Sequence, residues 1–226
     1  MIVAVSVLCS LLFTVCSVFW CNWELVSRDE HPAKCSLDSL RQGLFRYKKY
    51  ILAVTVLCLV GGSGLLALDL WRHQMELMQG LHLLYCFDLL AAAACIDLLH
   101  RIIPNKLVLY GFFGGIAFGI GAVYNGAAPA LVFREGLLGL AMGGGVFLVC
   151  ALITKGGIGM GDVKLFAVLG ILLGWTGVFD LIFLSVLLVA VYGIFLIFRK
   201  KLTRSSEVPI APFALLGITL MMLLGI

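Results

Sequence analysis

Five aspartates, Asp69, Asp88, Asp97, Asp162 and Asp180, fall in or beside long apolar stretches of this 226-residue chain. A carboxylate inside a lipid bilayer costs roughly 2.5 to 3.5 kcal/mol even on insertion scales, so each one invites a functional explanation. Asp69 and Asp180 lie near the ends of their apolar stretches and read as boundary residues that reach water. Asp97 closes one stretch, in Cys95-Ile-Asp-Leu-Leu-His-Arg-Ile-Ile-Pro-Asn105, and Asp162 opens another, in Lys155-Gly-Gly-Ile-Gly-Met-Gly-Asp-Val-Lys164. Two carboxylates sharing a site cannot both ionise easily, which leaves one acid and one base at working pH. Such a pair can activate water against a peptide carbonyl and protonate the leaving nitrogen. It titrates as a unit, so the sequence does not say which aspartate is the base.

The glycines before Asp162 (Gly156, Gly157, Gly159 and Gly161) allow a tight turn and let a second backbone come close. Taken alone, Asp162 also reads as the N-cap of a helix. Other catalytic sets are poorly supplied. His31, His73, His82 and His100 sit on no serine or cysteine nucleophile motif, and there is no HExxH pattern for zinc. Cys21, Cys35 and His31 contain no CxxC, so no zinc site is expected there, and no cofactor or metal is expected anywhere.

The elements that must hold these residues follow from composition. A chain that is 62% apolar and 12% charged, with a mean hydropathy of +1.13, requires lipid as its solvent. Its apolar blocks have the length of helices crossing a hydrocarbon core of roughly 30 Å. The expected fold is an all-α polytopic membrane protein of about eight transmembrane helices in a compact bundle. The spans are expected near 2–23, 50–70, 81–99, 107–124, 136–153, 163–176, 178–198 and 208–226. The apolar stretch from Val163 to Phe198 is too long to cross once, so a break is expected at Gly174-Trp-Thr-Gly177. Residues 2–23 have no basic start and no clear cleavage site, and read as a retained span rather than a signal peptide.

With the segment 24–49 on the cytoplasmic side, alternation puts 100–106, 154–162 and 199–207 there too. Counting Lys164, that side then carries fourteen Lys and Arg, and only Arg72 and Arg134 lie opposite. This positive-inside asymmetry explains the net charge of +4 without a nucleic-acid partner. It also brings Asp97 and Asp162 to one depth on the cytoplasmic side, where they can meet.

Two domains are expected: residues 1–80, with two spans and a basic cytoplasmic loop, and residues 81–226, a six-span core. In the loop, Leu37, Leu40, Leu44 and Tyr47 recur at helical spacing beside basic residues, as in a helix lying on the inner leaflet. Glycines at 111, 114, 115, 119 and 121, and at 136, 139, 143, 144 and 145, read as close helix packing. Cys9, Cys16, Cys58, Cys86, Cys95 and Cys150 lie within apolar spans and read as packing residues.

A family resemblance now adds to this reading. Gly159-Met-Gly161-Asp162 with Val163-Lys164-Leu165 resembles the GxGD signature of type IV prepilin peptidases. Asp97 ahead of Arg101 and Ile103-Pro104-Asn105 resembles that family's first-aspartate segment, and Pro209-Ile-Ala-Pro212-Phe213 its Pro-x-x-Pro-Phe stretch. The likeness covers about residues 81–226. It implies an intramembrane aspartyl endopeptidase of the bacterial cytoplasmic membrane. Such an enzyme cleaves the basic leader from prepilins or pseudopilins at the cytoplasmic face, without metal. Asp97 and Asp162 carry over as the catalytic pair, and Gly159, Gly161, Lys164, Pro104 and Asn105 as motif residues. The loop lacks the two CxxC pairs of bifunctional members, and no pattern for S-adenosylmethionine stands out, which argues against N-methyltransferase activity.

Two other readings compete. In presenilin and signal-peptide-peptidase proteins, which also bear GxGD, the first aspartate follows tyrosine and a Pro-Ala-Leu triplet lies near the end. Here Ile96 precedes Asp97 and the terminal prolines read Pro209-Ile-Ala-Pro212. A small ion-coupled transporter using Asp88, Asp97 and Asp162 would suit glycine-broken helices, yet it leaves the Ile-Pro-Asn and Pro-x-x-Pro-Phe segments unexplained.

Overall fold

The structure, a computed structural model, describes residues 77–154, 157–199 and 209–225, together with positions 15, 56, 61, 62 and 64. The expected spans 2–23 and 50–70, the amphipathic loop helix, Asp69 and the cysteines before Cys86 lie outside the described residues, apart from those isolated positions. The split into domains 1–80 and 81–226 is therefore open.

Among the described residues every regular element is helical: α1 Leu77–His100, α2 Asn105–Tyr124, α3 Pro129–Ile153, α4 Met160–Phe198 and α5 Ala211–Leu224. The first four are long and apolar enough to cross a membrane. Large apolar side chains such as Phe113, Phe133, Leu152, Phe183 and Phe198 stand exposed on their outer faces, as lipid-facing residues do. A total of eight spans does not follow from these helices.

The central helix is α1. From Leu84 to Asp97 only Cys95 is not fully buried, so α1 is covered on all sides, as its continuous apolar sequence requires. Tyr85 on α1 donates its hydroxyl to the Tyr110 carbonyl of α2 at 2.7 Å and packs against the rings of Tyr110 and Phe118. Gly62 lies against the same helix, since a Cβ there would meet Leu84 and Phe87. Cys86, Cys95 and Cys150 are free thiols, with Cys86 in the core.

Two boundaries differ from expectation, and one expected break is found. Helix α3 begins at Pro129 rather than near residue 136, because Pro129 fits the first turn and Arg134 is neutralised by Glu135 at 3.1 Å. Helix α5 spans 14 residues, about 21 Å, and is shorter than the expected span 208–226. Helix α4 runs over 39 residues as two arms joined at Gly174, whose φ of 71° and ψ of −178° are not helical.

That residue folds α4 back. On a straight helix Phe166 and Val178 would be about 18 Å apart. Instead, a Cβ built on Gly143 of α3 would lie 3.1 Å from Val178 Cγ2 and also against the Phe166 carbonyl. The two halves of α4 therefore both reach α3, and the expected break lies at Gly174. Backbone contact between α3 and the first half is direct: a methyl on Gly139 would overlap the Gly170 carbonyl, and one on Gly170 would overlap that of Gly139. Such approach is available only to glycine. Stacked rings of Phe147 and Phe166, 4.1 Å apart, extend the seam.

Short connections at 101–104 and 125–128 make α1, α2 and α3 alternate in direction. The C-terminus of α1 and the N-terminus of α2 therefore share one end of the bundle. The N-terminus of α4 joins them through contacts with the α1–α2 turn, and α5 packs on both α1 and α4.

Candidate active site

The local sequence dictates how each carboxylate is presented. Asp97 lies in the last turn of α1, and its carbonyl accepts the Arg101 N–H at 2.8 Å, closing the helix. Arg101 then adopts φ 54°, a left-handed turn that costs a residue with a Cβ about 1–2 kcal/mol. Pro104 caps α2 in an extended conformation with φ −72°, and its carbonyl accepts the N–H groups of Leu107 and Val108. Proline has no N–H to leave unsatisfied at this buried helix start.

The other carboxylate stands at the start of α4. Gly159 is the N-cap, so Asp162 is the third helical residue and not the cap itself. Its carboxylate turns back to the Gly159 N–H, one half of a capping box, and its negative charge suits the positive end of the helix dipole. Gly161 lets the chain lie against the α1–α2 turn, because a Cβ there would stand 3.0 Å from Ile103 Cβ and 3.5 Å from the Ile103 carbonyl.

These two helix ends enclose a cavity of about 400 Å³. Asp97 and Asp162 both line it, as do Pro104, Asn105, Gly159, Gly161 and Lys164, so all seven residues singled out by sequence meet in one place. Asp97 is buried and Asp162 half-buried, and the charge of Asp97 acts on Asp162. Lys164 Nζ donates to Asn105 Oδ1 at 2.9 Å, tying α4 to the start of α2.

Two participants escaped the sequence reading. Ala211, the first residue of α5, donates its backbone N–H to Asp97 Oδ2 at 3.2 Å. Its signal was the Pro209-Ile-Ala-Pro212 segment, which read only as a motif opening the last span. Arg101 was legible as a motif flank, whereas its place in the cavity wall is a structural finding. The remaining aspartates stay apart from the pair: Asp88 is fully buried within α1, and Asp180 lies on α4 beyond the Gly174 fold.

A larger cavity of about 740 Å³ opens toward the other end of α1, lined by His82, Phe118, Gly136 and Ile171 among others. His82 is fifteen residues from Asp97, about 22 Å along the helix. The one carboxylate in its wall, Glu135, is paired with Arg134, so it offers no acid–base pair. Two carboxylates meet only in the smaller of these two cavities.

Comparison with known sequences gives the family. The sequence model of the type IV leader peptidase family matches residues 82–194, which is half of the chain and carries both aspartates. The chain belongs to the type IV leader peptidase family. It is 35% identical over 138 residues to a prepilin leader peptidase/N-methyltransferase of Bacillus subtilis, covering 61% of this chain and 53% of the relative. A protein of the same name from Xanthomonas campestris is 34% identical over 139 residues, covering 59% and 46%. One from Pseudomonas aeruginosa is 33% identical over 198 residues, covering 86% and 63%. The chain spans about half the length of the first two of these leader peptidase relatives. No solved structure matches it.

Proposed function

We propose that this chain is an intramembrane aspartyl endopeptidase that removes the basic leader from type IV prepilin or pseudopilin precursors. The observation that carries the reading is the pair Asp97 and Asp162, brought from α1 and α4 to one cavity at a helix-end face. In the reaction, one carboxylate takes a proton from water as its oxygen attacks the scissile carbonyl. The other, protonated, gives its proton to the carbonyl oxygen. The tetrahedral intermediate then collapses: one hydroxyl returns its proton to the second carboxylate as the C=O bond re-forms, the C–N bond breaks, and the leaving nitrogen takes up the proton first removed from water.

The family membership and the names of the relatives support the substrate class. The fourteen-to-two distribution of Lys and Arg supports a site on the cytoplasmic face of the bacterial inner membrane, with about eight spans in all. Residues 81–226 form the peptidase core in this reading, and 1–80 a two-span region with a basic loop. The relatives' printed names also include N-methyltransferase. The loop 24–49 carries no CxxC, so we read this chain as a peptidase alone.

The test is cleavage of a prepilin-like substrate in proteoliposomes by the wild-type chain and by Asp97→Asn and Asp162→Asn. Cleavage by the wild type with loss in both variants is expected. Full activity in either variant overturns the mechanism.

A further inference from the structure

Arg101 is the one non-glycine residue with positive φ among the described residues. A residue in this left-handed position after a helix is normally glycine, which has no Cβ to crowd the neighbouring carbonyl. Glycine would make the same turn and the same N–H bond to the Asp97 carbonyl with less strain. The position therefore supplies something that only a side chain can.

Arg101 is exposed and lines the cavity of the two aspartates, and its positive charge acts on Asp97. The second cation in the cavity wall, Lys164, donates to Asn105. From the other elements around Asp97, α4 contributes the carboxylate of Asp162, α2 begins with Asn105 and Lys106, and α5 contributes the uncharged Ala211 N–H. The ion pair of Arg134 with Glu135 lies elsewhere. Arg101 is thus a cation held beside the pair and not committed to a direct ion pair.

We propose that Arg101 is a positioning residue for Asp97: its left-handed turn holds the guanidinium at the cavity wall, where it orients the Asp97 carboxylate toward Asp162 and the reacting water. This rests on the aspartyl reading of the site. The residue acts through Asp97, so its loss slows the chemical step and leaves substrate binding intact. Backbone strain retained at a reacting centre, where the side chain gives a functional return, is a recurring trade.

Arg101→Gly and Arg101→Lys test this in the full chain, with prepilin cleavage in proteoliposomes and thermal unfolding in detergent as readouts. Arg101→Gly is expected to lower kcat roughly tenfold or more and to leave KM within about twofold. Its melting midpoint is expected at or above the wild-type value, because the turn is relieved of strain. Arg101→Lys, which keeps the charge, is expected to stay within about threefold of the wild-type kcat. Wild-type kcat in Arg101→Gly, a loss confined to KM, or a melting midpoint several degrees lower would each overturn the proposal. Asp97→Asn in the same assay separates the two failures. An inactive Asp97→Asn beside a normal Arg101→Gly removes only the role of Arg101, while an active Asp97→Asn removes the dyad itself.

Discussion

The backbone N–H of Ala211 donates to Asp97 Oδ2 at 3.2 Å, although 114 residues separate the two in sequence. The last helix thus begins at the depth of the candidate catalytic pair, and its first backbone N–H, itself buried, meets a buried carboxylate. Ala211→Gly keeps this donor and is expected to retain most prepilin cleavage. Ala211→Pro removes it and puts a ring carbon where the N–H met the carboxylate, so kcat is expected to fall roughly a hundredfold. Equal rates for the two variants would show that the contact is incidental.

Substituting either member of the pair removes an acid–base group. Asp97→Asn and Asp162→Asn are each expected to lower cleavage by roughly 10²- to 10⁴-fold, and the double variant by no more than the worse single one, because the pair acts as a unit. Asp88→Asn, buried on α1 outside the cavity, is expected to retain substantial cleavage. Ion flux through empty liposomes that depends on Asp88 would favour a transporter instead.

Lys164 and Asn105 are joined by one hydrogen bond between exposed groups, so their contributions are expected to be non-additive. Lys164→Met and Asn105→Ala should each lower kcat/KM several-fold, and the double variant no further than the stronger single one. The coupling read from this cycle is expected at about 1 kcal/mol. Full additivity in kcat/KM would mean that the two side chains serve separate purposes.

Gly174, at φ 71° and ψ −178°, occupies a region essentially closed to residues with a Cβ. Gly174→Ala is expected to destabilise the protein by about 1–3 kcal/mol, measured as a lowered unfolding midpoint in detergent. Gly139→Ala should cost a comparable amount, since its methyl meets the Gly170 carbonyl and the backbones must separate. An unchanged midpoint in both would contradict the close α3–α4 seam.

A carboxylate pair activates water without a Lewis acid. Cleavage by the wild-type chain is therefore expected to persist in excess EDTA, measured as the initial rate against an untreated sample. A loss restored by a divalent cation would point to metal-assisted hydrolysis.

Much of the fold was legible because membrane helices write themselves in one dimension. Length and apolarity suffice to find α1, α2 and the two arms of α4, and Gly174 falls at the break that the 36-residue apolar run demanded. Helix α3 starts at Pro129, ahead of the expected 136, and so takes in Arg134 and Glu135. Adjacent opposite charges at a helix end neutralise one another, which hydropathy does not register.

The sequence by itself determined the chemistry available: two aspartates in apolar surroundings, flanked by Ile103-Pro104-Asn105 and by Gly159 and Gly161, with no rival nucleophile set. Only the tertiary structure decided that Asp162 is the third residue of α4 rather than its cap, and that Ala211 and Arg101 attend Asp97. The reason is physical. Period and hydropathy fix what each helix is, but the facing of one helix end upon another depends on where backbones can approach. Contacts such as Gly161 on Ile103, from segments 58 residues apart, are set by the closed bundle as a whole.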